Sequence, residues 1–294
     1  MKKAYIFAGV SIFFWSTMAV SAKLLLSDFN NIQVLCFSSF FAAVSLFIFN
    51  LVTGRLKICK TYGVKDYLII SLVGIPGIFL YHIFYYGGAA LLPASQAFII
   101  NYLWPIMSIV FACIILKEKM TIRKCIALLL SFLGVALVVG GELLTLNPNI
   151  VSGGLLCVLA AISYGLFVAV NKKYNYDNCI AMMIYFTVSF LLTALMVIVQ
   201  KEVMLPQGTQ ILGFLWSGIF TMAIPNTTWV FALAKGNTAK ISNLAYLTPF
   251  ASLLWSGLIL HEPLKLMNFV GLSIIILGIL IQLKDTKKSE NKRK

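Results

Sequence analysis

The chain carries the same apolar block twice, in register and without a gap. Sliding the sequence by 144 positions pairs Gly74 with Gly218, Tyr102 with Tyr246, Pro105 with Pro249, Leu116 with Leu260, Glu118 with Glu262 and Gly134 with Gly278. Upstream the offset is 149, pairing Trp15 with Tyr164 and Lys23 with Lys172, so the copies differ by a few residues of loop or helix end. Each copy holds an odd number of apolar stretches, so the second must run in the opposite orientation to the first. Hydrophobic helices repeated upside down are a common plan of secondary transporters, with the substrate site near the midplane at the repeat interface.

Hydrophobic residues make up 61% and charged residues 11% of the 294 positions. A soluble domain is about half apolar and a quarter charged, so lipid is the solvent this composition suits. A membrane-spanning helix needs roughly 20 apolar residues. Such stretches are read at about 4–26, 31–53, 66–87, 94–116, 122–140, 150–171, 179–200, 211–233, 239–260 and 266–284. The expected fold is an all-α membrane protein of ten transmembrane helices in two inverted five-helix repeats. The repeats span residues 1–144 and 150–284, and residues 285–294 form a basic tail. Asn147-Pro148-Asn149 is a turn signal at the join. Met1-Lys2-Lys3 and Val20-Ser21-Ala22 imitate a signal peptide, but the apolar stretch is too long for one and has a counterpart in the second copy.

The net charge of +14 is placed rather than spread. With a cytoplasmic N-terminus, only Lys23, Lys201 and Lys265 of the 23 Lys and Arg fall on the outer side. Cytoplasmic loops of membrane proteins carry this excess. The bias argues against a nucleic-acid partner and predicts both termini on the cytoplasmic side of a cell membrane, with the bilayer as the partner. The sequence leaves the oligomeric state open and is compatible with a monomer. Cys36, Cys59, Cys113, Cys125, Cys157 and Cys179 form no CxxC and read as apolar filler. His82 and His261 lie far apart, so no metal or cofactor is expected. No nucleophile–base pair, HExxH or phosphate-binding glycine loop appears, so no catalytic residues are assigned and an intramembrane enzyme is disfavoured.

The nine carboxylates all fall at span ends or in loops. Ion-coupled pumps usually place ionisable groups inside the membrane, so facilitated efflux by alternating access is expected. His82 is the one intramembrane group able to titrate near neutrality. Lys23 and Lys172 are expected to snorkel to the interface, and Glu118 and Glu262 to be helix-end charges.

Pro76, Pro105, Pro225 and Pro249 interrupt apolar spans. Proline removes a donor and displaces the carbonyl four residues earlier. Pro105 thereby frees Asn101 and Pro249 frees Ala245, which predicts matched bends in spans four and nine. Polar and aromatic residues gather at these bends. Tyr81 and Tyr85 share one face of span three, as do His82 and Tyr86. Asn101, Tyr102 and Trp104 surround Pro105. Asn226 and Trp229 are three apart, as are Asn243 and Tyr246, and Trp15 and Tyr164 are repeat mates. Rings with a few amides suit an organic zwitterion or a planar ring. For any single ring, packing in the core or at the headgroups competes with that role, and Tyr62, Tyr67, Tyr174 and Tyr176 read as interfacial anchors.

At these residues the chain resembles the drug/metabolite transporter superfamily and its EamA-type branch. The resemblance rests on Pro105-Ile106 through Leu116-Lys117-Glu118 to Gly134-Val135, and on Pro249-Phe250 through Leu260-His261-Glu262 to Gly278-Ile279. A finer resemblance, to the aromatic amino-acid exporters within it, is carried by Trp15-Ser16-Thr17-Met18, Asn101-Tyr102-Leu103-Trp104-Pro105, Asn171-Lys172-Lys173-Tyr174, Trp229 with Gly236-Asn237, and Tyr246 with Thr248-Pro249. It implies ten helices around a cavity formed mainly by spans three, four, eight and nine, with one and six contributing. It also implies efflux of amino acids or related metabolites without ATP hydrolysis. Tyr164 departs from the Trp usual in those exporters, which bears on substrate size. Another small metabolite (a nucleobase, a vitamin, S-adenosylmethionine or a drug-like cation) is the alternative cargo.

Overall fold

In lipid a backbone must satisfy its own hydrogen bonds, and the apolar stretches accordingly fold as helices joined by short turns. The computed structural model describes residues 2–143, 147–201, 204–236, 241 and 244–290, and only the helix path for 139–143 and 282–290. The helices are α1 (Lys2–Leu25), α2 (Asn31–Val52), α3 (Val64–Leu91), α4 (Ala94–Ile115), α5 (Ile122–Leu143), α6 (Pro148–Asn171), α7 (Asn178–Gln200), α8 (209–235), α9 (Leu247–Ile259) and α10 (Leu266–Glu290). Among the described residues there is no strand. By length and composition α1, α2, α3, α4, α6 and α7 can each cross a membrane, and α9 and the Leu266–Ile281 part of α10 are shorter apolar helices. α10 runs on past the expected end of its span, to Glu290.

Several helices are not regular. α1 is interrupted at Thr17, where the Ser16 and Thr17 hydroxyls bond back to the carbonyls of Phe13 and Phe14. α3 and α8 contain wide π-helical segments, Ile75–Leu80 and Trp216–Ala223, beside Pro76 and Pro225. A π turn absorbs the bond that proline removes. The two segments overlap in repeat register, since residues 75–80 shifted by 144 fall on 219–224.

The halves meet along seams that read alike from either side. α5 packs along α10, and α2 along α7. A Cβ built on Gly134 would lie 2.5 Å from the Gly271 carbonyl oxygen, and one on Gly271 would lie 2.5 Å from that of Gly134. A Cβ on Gly278 would meet the Ala127 carbonyl oxygen at 2.9 Å. Gly134 and Gly278 are repeat mates, as are Ala127 and Gly271. The two crossings are therefore one contact seen from each half, as a two-fold axis between inverted repeats requires. On α2 and α7, Ser39 and Ser189 join hydroxyls at 3.1 Å.

α4 and α9 end in the same way. Lys117 and His261 adopt left-handed backbone, with φ 55° and 53°. The next amides, of Glu118 and Glu262, return to the carbonyls of Ala112 and Ser256, each at 3.3 Å. In each case a left-handed residue turns the chain back so that the second amide beyond the C-cap reaches a carbonyl six residues earlier, and the last turn is closed. It fixes where each glutamate leaves its helix.

Candidate functional site

The chain break at Pro105 organises the centre. α4 is helical to Asn101, turns through Tyr102 and Leu103, and restarts at Trp104. α9 restarts at Leu247 after a turn at Ala245 and Tyr246. The Ala245 carbonyl, four residues before Pro249, is claimed from the other half: the Tyr102 hydroxyl donates to it at 2.6 Å.

α3, α4 and α6 bring seven of the sequence-predicted side chains together as one wall. The Asn101 amide donates to the Tyr81 hydroxyl at 2.9 Å. The Tyr81 ring lies 4.9 Å from that of Tyr164, and Trp104 meets Tyr164 edge-on at 5.1 Å. Tyr102 touches Trp104 at 6.5 Å. Behind this layer Tyr85 stacks on Tyr81 and is fully buried. His82 is buried against Tyr86, and its Nδ1–H donates to the Ile78 carbonyl at 2.7 Å. Tyr85 and His82 thus support the wall rather than surface it.

Trp15, Trp229 and Asn226 stand apart from that wall. Trp15 and Trp229 pair at 5.3 Å between α1 and α8, and the Asn226 amide turns back to the carbonyl of Met222. Among the described residues no ring contact joins this pair to the α3–α4–α6 wall. Tyr246 is half-buried on the α9 side. Asn243 lies outside the described residues. Trp15, Trp104, Tyr164, Trp229 and Tyr246 each keep part of the ring uncovered.

Polar atoms near the bends lack partners. Asn101 Oδ1, Tyr85 Oη and Thr248 Oγ1 are buried with no hydrogen bond. An unmet polar atom in an apolar interior costs about 1–3 kcal/mol, so each of these atoms calls for a hydrogen-bond partner. Two cavities lie elsewhere. One of about 410 Å³ sits among Thr17, Ser21, Asp28, Gln210 and Trp216. The other, about 610 Å³, sits among Phe7, Phe49, Arg55, Phe231 and Lys235. Neither is lined by a sequence-predicted site residue.

The two ends of the bundle differ, and sequence reasoning missed why. At one end Lys23 does not snorkel. Its ammonium donates to the carbonyls of Ala89 and Leu92 at 2.8 and 2.7 Å, capping the C-terminus of α3. Cations suit that end of a helix. Nearby, Glu262 accepts from the amides of Ala94 and Ser95 at 2.6 and 3.0 Å. Pro93, which precedes α4, has no side chain to cap it, so a carboxylate from the other half does so. At the opposite end Lys172 is exposed, and Glu118 pairs with Lys124 at 3.2 Å. There α6 packs on α3 and α4 but makes no comparable contact with α8 or α9 among the described residues. Two hydroxyls of the α1 break are also taken by indoles: Trp255 Nε1 donates to Ser16 at 2.9 Å and Trp216 Nε1 to Thr17 at 3.1 Å. The Trp15-Ser16-Thr17-Met18 motif was the only sequence signal of that arrangement.

Comparison with known proteins adds identity to this geometry. Residues 2–140 and 151–283 each match the model of the EamA-like transporter family. An uncharacterized transporter of Clostridium kluyveri is 25% identical, with 100% of this chain and 97% of its own length aligned. The aromatic amino acid exporter YddG of Ancylobacter novellus is 24% identical over 62% of this chain and 64% of its own. Its namesake in Salmonella typhimurium is 27% identical over 64% of this chain and 66% of its own. A crystal structure 20% identical in sequence superposes with a TM-score of 0.66, over 99% of both chains, and shares the fold.

Proposed function

Because this chain belongs to the EamA-like transporter family, we propose that it exports neutral amino acids, aromatic ones in particular, across the cell membrane by alternating access. The α1–α10 helices serve as ten spans with both termini in the cytoplasm, in two inverted repeats ending near residues 144 and 284. The placement of Lys and Arg supports that orientation. It makes the Lys23 end extracytoplasmic and the Lys172 end cytoplasmic. The structure then corresponds to a state sealed outside, with the inner mouth apart.

The observation that carries the reading is the ring wall with its unmet amide oxygen. Tyr81, Trp104 and Tyr164 converge within ring-contact distance beside Asn101, whose Oδ1 has no partner. A zwitterion suits this place. Its ammonium can donate to Asn101 Oδ1 and sit over a ring face, and an aromatic side chain can stack on the others. Trp15 of the first half and Trp229, Asn226 and Tyr246 of the second are assigned to the other side of the cargo, Asn243 joins them on its sequence position alone, and Tyr85 and His82 hold the wall from behind. The names of the two YddG relatives agree with this cargo.

The test is efflux from proteoliposomes loaded separately with phenylalanine, tyrosine, tryptophan, leucine, lysine and uracil. Export of the aromatic amino acids above protein-free vesicles, with lysine retained, is expected. Export of uracil alone would overturn the cargo assignment.

A further inference from the structure

The larger of the two cavities, about 610 Å³, lies between α1, α2 and α8 at the end of the bundle that carries the N-terminus. Its walls are Phe7, Leu46, Phe49 and Phe231, with Arg55 and Lys235 at its mouth. Phe231 meets Phe7 at 5.9 Å and Phe49 at 6.2 Å, so the rings form one floor. Both cations lie over it. The Arg55 guanidinium is 5.9 Å from the Phe231 centroid, and Lys235 Nζ is 5.3 Å from that of Phe7. Each side chain runs its stem along apolar surface and keeps its charge at the helix end. Beside the walls, Ile6 and Ile48 are 63% and 53% exposed, so the cavity opens among side chains suited to acyl chains.

The lining offers little to a polar cargo. The Ser45, Thr227 and Thr228 hydroxyls bond to the carbonyls of Ala42, Ala223 and Ile224, each at 2.9 Å. Ser11, one turn beyond Phe7, is buried and lies 2.7 Å from the Thr228 hydroxyl and 3.0 Å from the Pro225 carbonyl oxygen. It ties α1 to α8 between the cavity and the Trp15–Trp229 pair. Nor is the cavity a product of the duplication. The repeat mates of Phe7, Phe231 and Lys235 are Leu156, Gly87 and Leu91. A Cβ built on Gly87 would meet Leu156 at 3.3 Å. The equivalent notch between α3 and α6 is therefore filled, and an apolar side chain stands where the lysine would be.

We propose that this cavity binds an anionic phospholipid, with the phosphate on Arg55 and Lys235 and an acyl chain on the ring floor. The cations call for an anion, because Asp177 pairs with Arg55 and leaves the charge of Lys235 unbalanced. A guanidinium has several donors and can hold a carboxylate and a phosphate together. The walls call for a chain, because a small soluble anion would leave them uncovered. Basic pockets between membrane helices suit such headgroups. Placement in the inner leaflet rests on the proposed orientation, and the site itself does not.

The test is native mass spectrometry of the whole protein in mild detergent, titrated with phosphatidylglycerol or phosphatidylcholine. One phosphatidylglycerol should be retained about tenfold more tightly than phosphatidylcholine, and soluble glycerol phosphate should not displace it. Lys235→Gln should weaken its retention about fivefold, the share of one basic residue at an anionic headgroup. Lys235→Arg should restore it, and Lys172→Gln, exposed at the same end on α6, should leave it unchanged. Ser45→Trp fills the cavity without altering charge and should also release the lipid. Independently of whether that variant folds, phosphatidylglycerol with a photoactivatable acyl chain should label peptides holding Phe49 or Phe231. Equal retention of the two lipids, displacement by glycerol phosphate, an equal effect of Lys172→Gln, or labelling confined to other helices would overturn the site. The readout needs neither transport nor a cargo, so failure of the efflux test leaves it standing.

Discussion

At the scale of single residues, Tyr102 shows how far local chemistry can be read from sequence. Pro249 must free the carbonyl of Ala245, and in lipid that oxygen needs a donor. The sequence therefore announces an acceptor, but only the fold shows that the Tyr102 hydroxyl of the other half and the local Thr248 amide both donate to it. Lys23 was less legible. A lysine near a span end normally snorkels, and nothing local says that the last turn of α3 lies within reach. Trp216 and Trp255 were invisible for the same reason, since their partners are hydroxyls nearly 200 or more residues away in sequence. Trp104 is the most informative residue to remove. Trp104→Ala leaves Tyr164 without its edge-on neighbour and deletes part of the proposed cargo wall. Efflux should fall about tenfold, in line with the loss of one or two ring contacts of about 0.5–1.5 kcal/mol each. Membrane insertion, followed by the folded fraction in size-exclusion chromatography, should not change. Tyr174→Ala, outside the wall, is the control and should transport normally.

At the scale of elements, the bends and caps were legible in kind but not in form. Proline placed irregular backbone in α3, α4, α8 and α9, but it did not distinguish the π segments of α3 and α8 from the break in α4. That choice depends on which neighbour accepts the displaced backbone. The Leu-x-Glu endings of α4 and α9 are matched caps in which a non-glycine residue holds left-handed backbone. Such a conformation costs an L-residue about 1–2 kcal/mol. His261→Gly should therefore raise the melting temperature in detergent, by an amount reflecting about 1 kcal/mol or less. A fall in melting temperature would show that the imidazole makes a contact outweighing the strain. At the α5–α10 seam the sign is opposite. Gly271→Val puts a branched side chain where a backbone carbonyl already stands at 2.5 Å from any Cβ. Overpacking of this kind costs about 1–3 kcal/mol or more, and the yield of monodisperse protein should drop, whereas Gly154→Ala, with open space around its Cβ, should not.

At the scale of the whole molecule, the duplication was plain from the gapless register, and the matched seams follow it. What sequence symmetry could not reveal is that the structure is asymmetric. Under the proposed alternating access, two similar halves would specify two mirror-related states, and a list of residues does not say which is occupied. The described carboxylates lie at helix ends and loops, where Asp177 pairs with Arg55 and Glu118 with Lys124. Transport driven by the cargo gradient alone is therefore expected. In proteoliposomes, efflux at a fixed substrate gradient should be unchanged when the lumen is set one pH unit above or below the bath. A rate that follows the imposed proton gradient would make His82 or another group a carrier. The glycine crossing of α5 and α10 has a mechanical consequence. Because the backbone of each helix fills the notch of the other, sliding one half along its mate would drive Cα against carbonyl at both crossings at once. Rotation about the crossing meets no such obstacle, so under the proposed mechanism the seam is expected to serve as a fulcrum, one rim parting as the other shuts.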